Sequence, residues 1–288
     1  MSIKNLAAAA TLSTAALASH AAELKYSVYT ADENSFHVTS TLVTGPNEAM
    51  IIGSAGFTRA DALRIAAAVL DSGKVLKTIL ISNDDPDYYF GAEVLHCIFP
   101  DADIVATPAV RAAIEAKLET KLKFWPPRMG TNAPVKPLLP KAIDATTLTV
   151  DGEAIEIRGT VGELANRPWV WIPSLRAITG NVAVFADLHV WTADTQTPAK
   201  REAWLKQLDE MQSLRPAIVV AGHRKPGAAL DESSIRFTSE YIKTFLQQAS
   251  RAGDSGALIS EMRRRYPQAK LGVALEIGAK VIKGEMKW

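Results

Sequence analysis

Apolar positions along the chain repeat with two periods, and segments of the two kinds alternate. Short runs of apolar or alternating residues predict strands, whereas apolar residues three or four positions apart predict helices. In the first half of the chain, this pattern predicts strands at 24–30, 36–45, 48–53, 77–82 and 102–108, and helices at 58–73 and 109–123 with another that ends at residue 99.

Residues 125–140 follow neither period, yet they are too apolar for a solvated linker. The stretch contains five prolines, and Trp125, Leu138 and Leu139 add apolar surface. Long segments without periodic structure are uncommon inside a folded domain and often have a function. We therefore predict that this stretch is an ordered surface loop or flap.

The second half of the chain repeats the alternation of strands and helices. The pattern predicts strands at 146–150, 153–158, 168–173, 176–185 and 217–222, a helix at 198–213, and further helices up to the end. Strands followed by mixed strand–helix units, twice over, predict an α/β fold. In this αββα sandwich, two mixed β-sheets pack face to face with helices on the outside. Residues 22–288 are expected to form one such domain.

The N-terminal residues 1–21 have the pattern of a secretory signal peptide. Lys4 precedes an alanine-rich apolar run, and Ser19-His20-Ala21 predicts cleavage after Ala21. The alternative is a buried N-terminal helix, because the run is too short to span a membrane. A signal peptide implies a periplasmic or secreted protein. With no later long apolar run, we expect a soluble protein without integral membrane association.

The composition narrows the choice of partners. Without residues 1–21, the chain keeps 31 basic and 31 acidic residues. This balance gives no electrostatic reason to expect a nucleic acid or an anionic membrane as a partner, so a small-molecule substrate is expected. The single cysteine, Cys97, excludes an intramolecular disulfide and is expected to be buried. The oligomeric state stays open.

Acceptor oxygen atoms are crowded into the turn after the fourth predicted strand. Four residues with such side chains fall within five positions, Asn83, Asp84, Asp85 and Asp87. Asp85 before Pro86 has the pattern of a helix N-cap with proline at N1, but one capping residue would satisfy that need. Asp87 in the first helical turn would be favoured by the helix dipole. The excess of oxygen ligands indicates a metal site, or a site that once held a metal.

The order of these features resembles that of the metallo-β-lactamase fold superfamily, whose corresponding turn carries a His-x-His-x-Asp-His run followed by a glycine. Downstream, "ITGNVAVF" resembles the strand before the family's metal-bridging aspartate, and "AIVVAGH" resembles the final strand, which ends in a histidine ligand. Aligned in this way, the chain has Asn83, Asp85, Asp87, Tyr88 and Gly91 in the turn, and Asn181 and His223 further on.

The resemblance implies the αββα fold and a hydrolase, but not the family's usual dinuclear zinc centre. That centre depends on several histidines, and here His223 alone falls at a ligand position. Where the middle histidine is expected, the nearest candidate is Glu163. What remains is an oxygen-rich set that could hold one divalent ion, such as Mg²⁺, Ca²⁺, Mn²⁺, Fe²⁺ or a single Zn²⁺, or none. This set consists of Asn83, Asp85, Asp87, Glu163, Asn181 and His223.

Several candidate residues also have a purely structural interpretation. His223 could be a loop histidine bonded to the backbone, and Tyr88 could be a packing residue that fills the former metal cavity. His189, Trp191 and Asp194 lie in "LHVWTAD", which the resemblance places at the rim of the pocket.

These residues support three hypotheses. The first is a secreted or periplasmic hydrolase with a single-metal site, in which Asp87 or Asp194 takes a proton from the water that attacks an ester, lactone or amide. The second is a catalytically inactive binding or scaffold protein that has lost the zinc site. The third, which we rank lowest because the sequence has no oxyanion-hole motif, is metal-free acid–base hydrolysis by Asp85, Asp87 and His223.

Overall fold

Two β-sheets form the centre of the molecule in a computed structural model that describes residues 23–288. The predicted signal peptide, residues 1–21, lies outside the described residues. The strands are β1 (Lys25–Thr30), β2 (Thr39–Thr44), β3 (Glu48–Gly53), β4 (Val75–Ile81), β5 (Asp103–Ala106), β6 (Lys141–Ala142), β7 (Thr147–Val150), β8 (Glu153–Arg158), β9 (Trp169–Ile172), β10 (Ala177–Thr179), β11 (Phe185–Ala186), β12 (Ile218–Val219) and β13 (His223–Arg224).

Both large sheets are mixed. The first has the order β1-β2-β3-β4-β5-β6, antiparallel up to β3 and parallel from β3 onward. The second has the order β12-β10-β9-β8-β7, in which only the β10–β12 pair is parallel. A separate parallel pair is formed by β11 and β13, and an isolated bridge between Val38 and His223 connects this pair to the first half of the chain.

Helices cover the outer face of each sheet. They are α1 (Arg59–Ser72), α2 (Pro86–Tyr89), α3 (Ala92–Ile98), α4 (Pro108–Phe124), α5 (Pro126–Met129), α6 (Pro198–Ser213), α7 (Ser233–Arg251), α8 (Ser255–Arg265) and α9 (Gly272–Ile282). Side chains of α1, α3 and α4 pack on the first sheet, whereas α6, α7, α8 and α9 pack on the second.

Alternation along β3 explains why this arrangement has layers. Met50 and Ile52 point between the sheets, where they join Val170 and Ile172 of β9 in one buried cluster. Ile51 between them belongs to the cluster under α1, α3 and α4. Successive side chains of a strand point to opposite faces, so a strand buried on both faces is apolar throughout. The predicted αββα sandwich is confirmed.

The structure differs from the sequence prediction at residues 176–185, which were expected to form one strand. β10 ends at Thr179, and Gly180 has a φ of +54°, a conformation that breaks the strand. A Cβ at Gly180 would lie 2.6 Å from the Ile52 side chain, so the tight approach of the two sheets also requires glycine there. The chain resumes as β11 in a different pair.

The proline-rich stretch 125–140 also contains more structure than predicted. It includes α5 and a short 3₁₀ helix at Gly130–Asn132 before the chain becomes irregular. The Glu93 carboxylate accepts hydrogen bonds from the backbone N–H groups of Val135 (2.7 Å) and Lys136, and these bonds tie the irregular part to α3.

The prediction that Cys97 is buried is wrong, because its side chain is exposed on α3.

Candidate functional site

The acidic turn and His223 meet at one cleft, because β4 and β13 bring them to the same end of the sandwich. The turn follows β4 directly, and His223 opens β13, where its backbone pairs with Phe185 of β11 and bridges to Val38. The Asp87 Oδ2 atom lies 3.6 Å from the His223 Nε2 atom. Both side chains are buried, with His223 7% and Asp87 5% exposed.

Local contacts fix the geometry of the acidic turn. The Asn83 Oδ1 atom accepts a hydrogen bond from the Asp85 N–H at 3.0 Å, and the Ser54 hydroxyl donates to the Asp87 carbonyl. Asp85 occupies the N-cap position of α2, with Pro86 at N1, but its side chain makes no capping hydrogen bond. Gly91 is required where α3 begins, because a Cβ there would lie 2.2 Å from the Ala55 carbonyl oxygen. Because the Asp85 carboxylate makes no capping hydrogen bond, it is free to face the cleft.

His223 is held from two sides. Its Nδ1–H donates to the Phe36 carbonyl at 3.0 Å, and its ring stacks on Phe185 with centroids 5.0 Å apart and an interplanar angle of 14°. Phe36 and His37 both have a φ of +57°, in the left-handed region that such residues seldom adopt. Two successive residues of this kind cost energy, and such strain clusters at functional sites. Here the strained turn presents the carbonyl that orients the imidazole.

The cleft combines an aromatic wall with a polar floor. Its volume is about 530 Å³, including the open mouth. Rings form most of the wall, from Phe36, Phe57, Trp125, Phe185, Trp191 and Trp288. Trp125 lies edge-on to Phe36 and Phe57 at centroid distances of 5.4 and 5.3 Å. The floor carries the ionisable side chains Asp85, Asp87, Lys121, Arg167 and His223. A wall of aromatic rings with a few convergent polar groups is the lining that is typical of a site for a small organic molecule.

Burial shifts the pKa values of the carboxyl and imidazole groups on the cleft floor. It raises the pKa of the Asp87 carboxyl well above its usual value, and the neighbouring Asp85 charge raises it further. Burial, followed by the charge of Asp194, raises the pKa of Asp85 to about 6, although Lys121 opposes the shift from 3.4 Å. Burial lowers the pKa of His223 to about 4. The geometry thus favours an uncharged acid facing a neutral imidazole.

A second, polar cavity adjoins the cleft behind Asp85, and its volume is about 400 Å³ when its opening to solvent is included. Asp84 lies in its wall, where its carboxylate binds the Lys117 ammonium at 2.5 Å and accepts from the Asn166 amide at 2.8 Å. Asp85 and Arg167 line both cavities. These two side chains therefore stand at the boundary between the aromatic cleft and the polar cavity.

Comparison with known proteins agrees with this architecture. The sequence profile of the metallo-beta-lactamase superfamily matches residues 34–223, which include both the acidic turn and His223. The chain belongs to the metallo-beta-lactamase superfamily. No curated protein sequence matches the chain.

Solved structures share the metallo-beta-lactamase fold at low sequence identity. A metallo-beta-lactamase family protein from Thermus thermophilus is 17% identical, with a TM-score of 0.59 over 88% of this chain and 91% of its own. A metallo-beta-lactamase from Pontibacter korlensis is 16% identical, with a TM-score of 0.52 over 77% of this chain and 99% of its own. A double mutant of the sec-alkyl sulfatase PisA1 is 13% identical, with a TM-score of 0.55 over 84% of this chain and 47% of its own. At such identities, the likeness concerns the fold and not the substrate.

Members of the metallo-beta-lactamase superfamily usually bind divalent metal, but the residues present here do not fit such an ion. Among residues 23–288, no three His, Cys, Asp or Glu side chains lie in an arrangement that could hold a metal. Two residues at ligand positions of the superfamily, the proposed ligand Asn181 and the proposed packing residue Tyr88, form hydrogen bonds within the fold instead. The Asn181 amide donates to the Val220 carbonyl at 3.0 Å and accepts from the Val184 N–H at 2.9 Å. Tyr88, in a histidine place of the superfamily, is buried and donates to the Asn181 carbonyl at 2.8 Å.

Two further predicted residues lie away from the cleft. Glu163 is exposed and lines neither cavity, because the turn before β9 directs Arg167, not Glu163, toward the floor. His189 is buried beside α7, where its Nδ1 atom lies 2.9 Å from the Tyr241 hydroxyl, and burial lowers its pKa to about 4. His189 is therefore a core residue and not a rim residue.

The other predicted rim residues lie close to the cleft. Trp191 lines it, 6.2 Å from the Phe36 ring. Asp194 lines the polar cavity, and its carboxylate accepts a hydrogen bond from the Trp288 indole N–H at 2.8 Å. The Asn83 side chain, which bonds within the acidic turn, also lines the polar cavity. Asp194 thus acts on the site through its charge near Asp85.

Among the cleft residues that were not predicted from the sequence are Phe36, Lys121 and Arg167. Lys121 is one of several lysines in α4, and no sequence pattern distinguishes it from those that face the solvent. Arg167 in "ELANRPW" has no usable signal either, because arginine side chains are mostly exposed and nothing in this turn marks one as buried. Among residues 23–288, no helix is long and apolar enough to cross a membrane.

Proposed function

We propose that this superfamily member binds a small organic molecule in the aromatic cleft without a metal ion. The observation that carries the proposal is that an aromatic cleft is present, whereas the residues at the superfamily's metal-ligand positions do not form a metal site. Tyr88 and Asn181 form hydrogen bonds within the fold, and Glu163 is exposed away from the cleft, while six aromatic rings and several ionisable side chains line the cleft. Fold alone does not give the ligand, so the proposal rests on this site.

A ligand screen tests the proposal by thermal shift or by quenching of tryptophan fluorescence. We expect aromatic compounds to stabilise the protein equally with and without a chelator, because a ligand that binds the native state raises its apparent stability. Trp125→Ala should abolish most of that stabilisation. Leu139→Ala, a large-to-small change in the same proline-rich stretch but outside the cleft lining, is the matched control. Stabilisation that requires added Mn²⁺, Fe²⁺ or Zn²⁺ and disappears in Asp87→Ala would overturn the proposal in favour of a single-metal hydrolase.

A second candidate function is metal-free hydrolysis of an ester or lactone, which the Asp87–His223 pair favours. The pair lines the cleft floor with a buried acid 3.6 Å from an imidazole nitrogen. In that arrangement, the neutral His223 could accept the proton of an attacking water, and the protonated Asp87 could donate a proton to the leaving oxygen. Turnover of an ester panel in the presence of a chelator, lost in both Asp87→Asn and His223→Asn, would favour this function over binding alone. Turnover that survives both changes would exclude it.

We also propose that the protein acts after export, on the basis of the pattern in residues 1–21. N-terminal sequencing of protein recovered from a periplasmic or culture fraction should give a chain that begins at Ala22. Recovery of the full-length chain in the cytoplasmic fraction would contradict export.

A further inference from the structure

Arg167 is a buried cation that the fold holds rigidly. Arg167 is only 6% exposed, and it lies two residues before the first residue of β9. The backbone is fixed on both sides, since the Arg167 N–H donates to the Leu164 carbonyl at 2.8 Å and the Arg167 carbonyl accepts from the Gln207 amide at 3.0 Å. The guanidinium carbon lies 4.7 Å from the centroid of the Trp204 ring. Arg167 therefore has little freedom to leave the floor of the cleft.

The guanidinium of Arg167 lacks the partners that a buried arginine normally has. Its Nη1 atom is buried without a hydrogen-bond acceptor. Within the described part of the chain, no carboxylate lies within 4.0 Å of it, whereas the neighbouring cations Lys117 and Lys121 are paired with Asp84 and Asp85. A buried donor left unpaired destabilises the folded state, and it does so more strongly when it is charged. An acceptor supplied by a ligand would remove that cost.

The position of Arg167 connects this unpaired donor to both cavities. Arg167 lines the aromatic cleft and also the polar cavity behind Asp85. A ligand whose apolar part lies against Phe36, Trp125 and Trp191 would have its polar end at the cleft floor, where Arg167 stands. The planar guanidinium matches a carboxylate in geometry and charge. The Asp85 carboxylate on the same floor disfavours an end group with two negative charges.

We propose that the cleft takes a small aromatic carboxylate, with the carboxylate bound by Arg167 and the ring among the aromatic side chains of the wall. This inference rests on the proposed function, since it names the ligand class of the same cleft. Arg167 is thereby a specificity-determining residue. In place of a metal ion, the protein offers a fixed organic cation to its ligand.

Matched ligand pairs test the assignment by titration calorimetry in a chelating buffer. The probes are phenylacetate, 3-phenylpropionate and 4-phenylbutyrate, each against its neutral amide. We expect at least one carboxylate to bind, and to bind about tenfold or more tightly than its amide, because a hydrogen bond between two charged groups is stronger than one to a neutral acceptor. Arg167→Met should remove the preference for the carboxylate, and Arg167→Lys should restore part of it. Arg251→Met removes an exposed arginine outside the cleft and should leave the preference unchanged.

The outcomes separate this inference from the function on which it rests. Equal binding of carboxylate and amide to the unaltered protein would overturn the role of Arg167 and leave metal-free binding standing. Binding of the carboxylates only after metal addition would overturn both. Tighter binding of benzenesulfonate or phenyl phosphate than of every carboxylate would overturn the carboxylate assignment. The ligand pairs on the unaltered protein decide the question even if Arg167→Met does not fold.

Discussion

Replacing Asp87 by asparagine should stabilise the protein at neutral pH. The Asp87 carboxyl is 5% exposed, and its contact with His223 at 3.6 Å is too long for a hydrogen bond. Burial raises its pKa well above the usual value, so the folded state holds the proton more tightly than the unfolded state does. The stability of the unaltered protein must then fall as the pH rises above the unfolded-state pKa.

The size of this effect follows from linkage. Between the unfolded-state and folded-state pKa values of Asp87, the free energy of unfolding falls by about 1.4 kcal/mol for each pH unit. Asparagine has nearly the same shape and no proton to lose. The advantage of Asp87→Asn over the unaltered protein should therefore exceed about 1 kcal/mol by pH 5 and should grow at that slope above it.

Urea denaturation at a series of pH values between 4 and 8 measures the difference. Asp84→Asn is the control: its carboxylate is equally buried but paired with Lys117 and Asn166, so this change should destabilise by about 1–3 kcal/mol. The reasoning would be refuted if Asp87→Asn were less stable than the unaltered protein at pH 7. A loss that disappears in the presence of a chelator would identify Asp87 as a metal ligand.

Three further changes test other parts of the structure. Tyr88→Phe should cost about 1–3 kcal/mol in urea denaturation, because the Asn181 carbonyl loses its donor; no change would mean that the contact is absent. Burial lowers the pKa of His189 from 6.5 to about 4, so the stability that the neutral imidazole contributes is full above pH 6.5 and is lost as the pH falls. His189→Asn should therefore reduce the difference in unfolding free energy between pH 7.5 and pH 5 by about 2 kcal/mol. An unchanged difference would contradict the burial of this imidazole. Gly222→Ala should lower the melting temperature strongly, because a Cβ there would lie 1.9 Å from the Asn181 backbone carbonyl oxygen. An unchanged melting temperature would contradict this packing.

Periodicity predicted the parts of the fold whose burial depends on local sequence. α1 and α6 have apolar residues at helical spacing, and β3 is buried on both faces, so their patterns survive in the structure. The breaks were missed where a distant contact decides the conformation. Thr179 ends β10 because Gly180 approaches β3 across the sandwich, and no residue spacing reveals that approach.

The candidate site was predictable to a similar extent. Asp87 follows β4 and His223 begins β13, at the positions that the resemblance to the superfamily indicated. The two side chains meet at one edge of the sandwich. Glu163 and Arg167 lie in the same turn, and no residue pattern there tells which side chain faces the cleft. The role of Asn181 depends on the backbone groups of Val184 and Val220, and Val220 lies 39 residues away along the chain.

Metal content tests most directly the claim that the cleft works without a metal ion. The protein would be expressed in medium supplemented with manganese, iron and zinc, purified without chelator, and measured by elemental analysis. Since a protein lacking a set of correctly placed ligands retains little metal, we predict fewer than about one ion for every ten chains. About one ion per chain, lost on His223→Ala, would contradict the account.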